Sequence, residues 1–262
     1  MVIVDEMSMV DLYIMNYILK GIYLGTKLIL LGDVNQLPSV GPGNILKDII
    51  QSERIATAQL TEIFRQAEES KIIVNSHRVN EGETFTDETK NDGDSSKQQD
   101  FFYVNESSQA KALDTVISLC TGRLESYGNY EFFSNIQVLS PTKKGTLGTK
   151  ELNRSLQEAL NPLEEHSKES AAQKAHGDRV FRIGDRVMQI KNNYDIYWEK
   201  VNEVESGAGI FNGEMGAIKE IDDTTKAIEI LFDDDKKAWY EFGDLEQLEH
   251  SYAVTIHKSQ RK

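Results

Sequence analysis

Three short apolar runs, each ending in polar residues, restrict this chain more than any other feature. They are residues 1–4 before Asp5 and Glu6, residues 28–31 before Gly32 and Asp33, and residues 136–139 before Ser140, Pro141 and Thr142. A strand that is apolar on both faces must be covered on both faces, and parallel sheets flanked by helices do this. Helical periodicity fills the intervals. Leu12, Met15 and Leu19 share one face of a helix over 10–19, and Ile72, Ile73 and Val79 share another over 70–79, with Gly82 as its stop. Leu113, Val116, Ile117 and Cys120 predict a helix over 110–120 that ends at Gly122. Leu152, Leu156 and Leu160 form a stripe stopped by Pro162. Strand and helix alternate, so the first two thirds read as α/β.

The last third has another rhythm. Residues 179–183 and 186–190 read as paired strands around Gly184 and Asp185. Segments 215–221, 227–232 and 238–242 are short strands joined by Asp-rich turns, the pattern of a small antiparallel barrel over 201–246. Residues 251–256 return to the apolar style of the first strands. Two polar stretches, 83–100 and 163–177, read as mobile surface insertions. The chain begins inside an apolar run and stops just after another, so we expect a segment of a longer protein.

Composition excludes several classes of function. With 43 acidic against 29 basic residues the net charge is −14, which argues against coating nucleic acid by bulk charge and leaves room for a local basic channel. No run of about 18 apolar residues is present to span a membrane. One cysteine in 262 residues excludes an internal disulfide framework and fits a reducing, cytoplasmic setting.

The residues that could carry chemistry fall at the strand ends. Asp5 and Glu6 can hold Mg²⁺ through its water shell and polarise an attacking water, or simply cap the next helix. Gln36 lies on a loop punctuated by Gly41, Pro42 and Gly43, placed to report on a phosphate or a water. Arg65 offers a planar fork for phosphate, or is a surface helix residue. Lys143, Lys144 and Lys150 surround a helix start after Thr142, suited to a DNA phosphate or to solvent. Tyr194, Tyr197 and Trp198 can stack on bases or pack against the barrel. Cys120 reads as core. His77, His166, His176 and His250 show no ligand spacing, and Asp233, Asp234 and Asp235 read as a solvated turn.

Taken in order, these motifs resemble those of superfamily 1 helicases, nearest to the RecD-like group of RecD and TraA-type conjugative helicases. The resemblance rests on Val-Ile-Val-Asp5-Glu6-Met-Ser-Met, on residues 30–43, and on Leu-Thr-Glu-Ile-Phe-Arg65-Gln. It continues through residues 138–142, Gly145, Gly148, Leu152 and Asn153, then 184–188, 211–216 and 251–260. It implies RecA-like P-loop NTPase motor domains with a small SH3-like β-barrel insertion. The first motor domain would end near 58, the second would span 59–200 and return at 247–262, and the barrel would fill 201–246.

By the same resemblance, ATP and Mg²⁺ are the cofactors. Asp5 would help to hold Mg²⁺, Glu6 would orient the hydrolytic water, Gln36 would sense the γ-phosphate and Arg65 would contact it. Thr142, Lys143, Asn212, Thr255, His257 and Ser259 would meet single-stranded DNA. Subunits of the RecB/RecC type are possible partners, and a conjugative relaxase or a non-catalytic interaction module are the alternative settings. The Gly-Lys-Thr/Ser phosphate loop of the family is missing from these 262 residues. Gly145-Thr-Leu-Gly148-Thr-Lys150 does not replace it, because four residues must separate its glycines. The chain alone is therefore expected not to hydrolyse ATP.

Overall fold

The computed structural model describes residues 1–60, 70–86, 100–163 and 173–260. The chain forms two compact units, Met1–Asn105 and Glu106–Lys262.

In the first unit, β1 (Val2–Val4) and β2 (Leu28–Leu30) pair in parallel, with Val2 opposite Leu28 and Val4 opposite Leu30. Between them runs α1 (Leu12–Gly21), capped by Asp11, whose carboxylate accepts from the Ile14 amide at 2.8 Å. Such a cap satisfies one of the amides that a helix start leaves unpaired. The helix α2 (Ile45–Gln51) supplies Leu46 to a small core with Met7, Val10 and Met15. The helix α3 (Lys71–Asn80) is capped by Ser70, and Gly82 takes a positive φ of 83° just beyond its end, as the spacing requires. It is tied to residues later in the chain. The Ser70 hydroxyl donates to Asp100 at 2.6 Å, and the buried Asn75 amide exchanges hydrogen bonds with Thr86. These ties join α3 to Thr86 and Asp100 within the first unit, which runs beyond residue 58. Much of the expected insertion at 83–100 lies outside the described residues.

The second unit holds two sheets. Its α/β part begins with α4 (Gln109–Ser118), which passes through a π-turn at Leu119–Arg123 into α5 (Leu124–Gly128). Gly122 breaks the helix at φ 152° without ending it, so the expected stop is a kink. After α6 (Phe132–Asn135) comes β3 (Val138–Ser140), and then α7 (Thr149–Leu160), which buries Leu152 and Leu156 as its stripe predicts.

The expected pairing of 179–183 with 186–190 does not occur. Instead β4 (Gln173–His176) and β5 (Arg179–Arg182) form a hairpin of their own, so the end of the predicted excursion at 163–177 is a strand. Asp185 redirects the chain. Its carboxylate accepts from the Arg182 amide at 2.8 Å, and its carbonyl accepts from Ile218, which feeds the next strand into another sheet.

That sheet is an antiparallel half-barrel, wider than the expected 201–246. Its members are β6 (Arg186–Gln189), β7 (Asn193–Lys200), β8 (Ser206–Ile210), β9 (Met215–Asp222), β10 (Ala227–Phe232), β11 (Lys236–Glu241) and β12 (Leu248–His250). Their order is β12-β6-β9-β10-β11-β7-β8. Alternate residues of β10, Ile228, Ile230 and Phe232, point into a core shared with Phe181, Val187, Ile210 and Ile218. Trp198 packs against this core, whereas Tyr194 and Tyr197 stay exposed. The chain then leaves the barrel. Strand β13 (Ala253–Thr255) lies parallel to β3, and α8 (Ile256–Ser259) starts where a longer strand was expected. The Thr255 hydroxyl caps that helix by accepting from the Lys258 amide, which cuts the strand short.

Candidate functional site

In the first unit the sequence candidates meet at the carboxyl ends of β1 and β2, the edge where open α/β sheets place ligands. Asp5 and Glu6 leave β1 exposed. The Asp5 carboxylate accepts from the Glu6 amide at 2.9 Å, and the Glu6 backbone is left-handed at φ 53° and ψ 43°. That conformation costs a side-chain-bearing residue about 1 kcal/mol, and such strain concentrates where a side chain must be aimed. It is maintained from both sides. Met7 is fully buried, and its amide donates to Leu31 at 2.9 Å. A methyl at Gly32 would come within 2.9 Å of that amide, so only glycine fits beside it.

The loop after β2 is equally constrained. Asp33 accepts from the Asn35 amide at 2.8 Å, and the Pro42 carbonyl accepts from Leu12 at 2.9 Å, which folds the loop onto the start of α1. Gln36 is half-buried, and the Ser8 hydroxyl donates to its Oε1 at 3.2 Å. The two loops leaving neighbouring parallel strands are thereby joined side chain to side chain. Arg65 lies outside the described residues. Among the described residues no three acidic, histidine or cysteine side chains converge as a metal cage. The exposed carboxylate pair suits Mg²⁺ held largely through water.

In the second unit the register of β3 with β13 sets Ser140 opposite Thr255. The loop carrying Thr142 and Lys143 and the helix carrying His257 and Ser259 therefore leave the same sheet edge. Their hydroxyls are partly committed. Thr142 donates to the Lys144 carbonyl at 3.1 Å, Ser259 donates to Ile256 at 2.7 Å, and Thr255 is a helix cap. Lys143 and His257 are exposed. Asn212 is placed elsewhere, on a barrel loop where its amide donates to Asn192 at 2.9 Å.

Beside the start of α7 lies a cavity of about 850 Å³ lined by Lys143, Lys144, Lys150, Arg154 and Arg179, with Glu151, Asp178 and Glu249 among them. Burial works to raise the Glu249 carboxyl. The hydrogen bond from Lys258 at 2.6 Å, with the charges of Lys258, Arg179 and Lys143, outweighs burial and holds the group below its ordinary value.

Sequence reasoning missed the polar hub behind this cavity. Asp185 is fully buried and accepts from Gln157 at 2.6 Å, Asn161 at 2.8 Å and the Tyr252 hydroxyl at 2.9 Å. His250 Nε2 stands 3.0 Å from the same carboxylate. His250 Nε2 also lies 3.2 Å from the Gln157 amide nitrogen, whose hydrogens go to Val180 and Asp185. Burial, and then the charge of Asp185, push the Tyr252 phenol far above its ordinary value. One more feature escaped detection. The Asn153 side chain exchanges two 2.9 Å hydrogen bonds with Ala253 and so acts as a strand partner for β13. Asn153 and Asp185 stood in recognised motifs, but nothing in their spacing tells a core polar residue from a ligand contact.

Paired parallel strands with carboxylates at their ends, followed by an antiparallel half-barrel, define a P-loop-like α/β protein with an SH3-like domain. A family model described as an AAA domain matches residues 1–100, and one described as the ATP-dependent RecD-like DNA helicase SH3 domain matches residues 152–232. The ATP-dependent RecD2 DNA helicase of Deinococcus radiodurans is 29% identical over 99% of this chain and 31% of its own length. The RecBCD enzyme subunit RecD of Buchnera aphidicola is 23% identical over 98% of this chain and 47% of its own length. A solved chain from a study of forked-duplex unwinding by two Pif1 helicases is 15% identical, over 98% of this chain and 60% of that one, with a TM-score of 0.42.

The chain is thus similar to RecD-like DNA helicases along nearly its whole length, and its barrel region to their SH3 domain. It spans about a third of the length of the Deinococcus relative and just under half of the Buchnera one. Among the described residues no helix is long and apolar enough to cross a membrane.

Proposed function

We propose that this chain is the part of an ATP-dependent helicase that reads the nucleotide and tracks single-stranded DNA in the 5′→3′ direction. The hydrogen bond between Ser8 and Gln36 carries this reading, because it joins the carboxylate loop to the loop that would report on a phosphate. Bound ATP with Mg²⁺ supplies the phosphoryl-transfer chemistry. In this reading Asp5 holds the metal through water, and Glu6, fixed by its left-handed backbone, orients the attacking water. Gln36 shifts with the nucleotide state and passes that shift to Ser8, while Arg65 adds positive charge at the γ-phosphate.

The DNA strand would run along the β3/β13 edge, past Thr142, Lys143, Thr255, His257 and Ser259. An acidic chain is compatible with this, because the cavity beside α7 is lined by more basic than acidic side chains. One motor domain would hold the β1/β2 sheet and the other the β3/β13 sheet, with the barrel strands from Arg186 to His250 inserted in the second, in the cytoplasm. A RecB/RecC-type assembly is a further possibility, tested by whether the protein unwinds DNA alone.

The experiment is Glu6→Gln in a protein that also carries the family's phosphate loop. ATP binding should persist while DNA-stimulated hydrolysis falls by about two orders of magnitude or more, as loss of a positioned catalytic group does. Near-normal single-turnover hydrolysis would remove Glu6 from the reaction. The 262-residue chain itself should show no DNA-stimulated turnover. Turnover that Glu6→Gln abolished would mean the chain holds a complete site.

A further inference from the structure

The barrel carries an aromatic pair that neither the fold nor the nucleotide site uses. Tyr194 and Phe211 meet edge to face, with centroids 5.5 Å apart and planes at 74°. Tyr194 is 68% exposed and Phe211 40% exposed, so the contact leaves most of the tyrosine ring in water. Rings left open in this way on a loose loop would need no explanation. These two are held rigidly.

Tyr194 sits in an irregularity of the β7/β8 ladder, where the register shifts between Asn193 and Tyr197. Bulges of this kind re-aim a side chain. The bulge is fixed by Asn193, whose Oδ1 accepts from the Asp195 amide at 2.9 Å and whose Nδ2 donates to Gln247 at 3.0 Å. On the other side, the ring of Phe211 folds back over Gly209, where an added methyl would stand 3.1 Å from it and where φ is +109°. The Phe211 amide donates to Glu214 at 2.9 Å, the Lys236 ammonium reaches the other Glu214 oxygen at 3.1 Å, and the Gly213 amide donates to Gln189 at 2.8 Å. The Asn212 amide closes the brace onto Asn192. Among the described residues, the side-chain amide of Asn212 and the Nδ2 group of Asn192 make no hydrogen bond.

We propose that Tyr194 and Phe211 form a stacking platform for one unpaired nucleobase of single-stranded DNA, with the amides of Asn192 and Asn212 placed to meet the base edge. The proposal rests on the single-strand reading of the β3/β13 edge and names the barrel residues that would serve it. Every base has a π face, so a rigid aromatic pair binds it with little sequence preference, and a side-chain amide supplies both a donor and an acceptor for the edge. A duplex offers no such face. Asp195 stands next to Tyr194 and is exposed, which disfavours a phosphate here and assigns the contact to the base.

The test titrates the 262-residue chain with a thymine-rich single strand of about 12 nucleotides that contains the fluorescent base aminopurine. Tyr194→Ala and Phe211→Ala should each weaken binding by roughly 5- to 150-fold and relieve the quenching of the aminopurine, the span expected for one lost stack. Tyr194→Phe should keep both affinity and quenching. Phe211→Leu keeps the apolar volume without the π face and should behave like the alanine variant. None of the four should change the dependence of affinity on salt, because no phosphate contact is lost, whereas Lys143→Ala should flatten it. If the chain binds the strand and the alanine variants match it in affinity and quenching, the platform is overturned and the single-strand reading stands. If the chain binds no single strand, both readings fall.

Discussion

The barrel and the first α/β unit spend their apolar residues in opposite ways. The barrel core contains thirteen buried side chains, eight of them wholly inaccessible, among them Phe181, Ile218, Ile228 and Ile230. Among its described residues the first unit buries four in its core, Met7, Val10, Met15 and Leu46, and leaves Tyr13, Tyr17 and Leu24 exposed. Apolar burial stabilises by about 25 cal/mol per Å², so the barrel core gains from burial at many side chains. The first unit instead presents carboxylates and a strained glutamate at the end of a two-stranded sheet. A region rich in buried area need not hold the proposed catalytic groups, and a thin one can. Local stability and chemistry are often divided in this way, because sites must open and rearrange.

The sharpest way to break this comparison is at Asp185, where the barrel strand β6 begins. Asp185→Ala removes one carboxylate that serves Arg182, Gln157, Asn161, Tyr252 and His250 and leaves their polar groups buried without it. Removing one partner from a buried charged network costs about 3–5 kcal/mol. Urea denaturation of the variant should show a loss of that size. A loss below about 1 kcal/mol would mean that the hub is open to water and that the barrel does not depend on it.

A smaller effect sharpens the contrast between the two cores. Ile230→Ala empties a site with no solvent exposure, and such truncations cost about 2–5 kcal/mol. Met15→Ala acts on a residue 8% exposed in a sparse core and should fall at the low end of that range. In native-state hydrogen exchange, the amides of β9 and β10 should be the slowest in the chain and those of β1 and β2 markedly faster. Equal protection in the two regions would erase the difference between the cores.

How much could be read in advance obeys the same division. The three apolar runs became β1, β2 and β3 within one or two residues, although Ile3 and Leu139 stay exposed, so the expected cover on both faces is not found. The stripe at Leu152 and Leu156 was legible from its helical spacing. The partners of β6 were not. A hairpin of 179–183 with 186–190 satisfies the local alternation, but the buried Asp185 turns the chain toward β9, and a long-range acceptor leaves no periodic trace. Of the site, Asp5, Glu6 and Gln36 were visible from strand-end chemistry, while the link through Ser8 was not, because a serine after an acidic pair looks like a helix cap. The commitment of the Thr255 and Ser259 hydroxyls to backbone groups was equally hidden.

The smallest expected effect concerns Cys120, in the second α/β core with Phe132, Leu156 and Tyr252. Burial pushes its thiol up to about 11 from an ordinary value near 9. A thiol held protonated in the folded state favours folding fully below the unfolded value. That contribution is lost as pH rises from about 9 toward 11, because the unfolded chain ionises first. Reactivity should track the thiolate, so the folded chain should resist a thiol reagent at pH 8 and react quickly once urea unfolds it. If Cys120 reacted at the same rate folded and unfolded, the α/β core around it would be as open as the first unit. The barrel would then be the one well-packed part among the described residues. If it stays protected while the amides of β1 and β2 exchange fast, the line between dense and thin regions runs between the two compact units, not between sheet types.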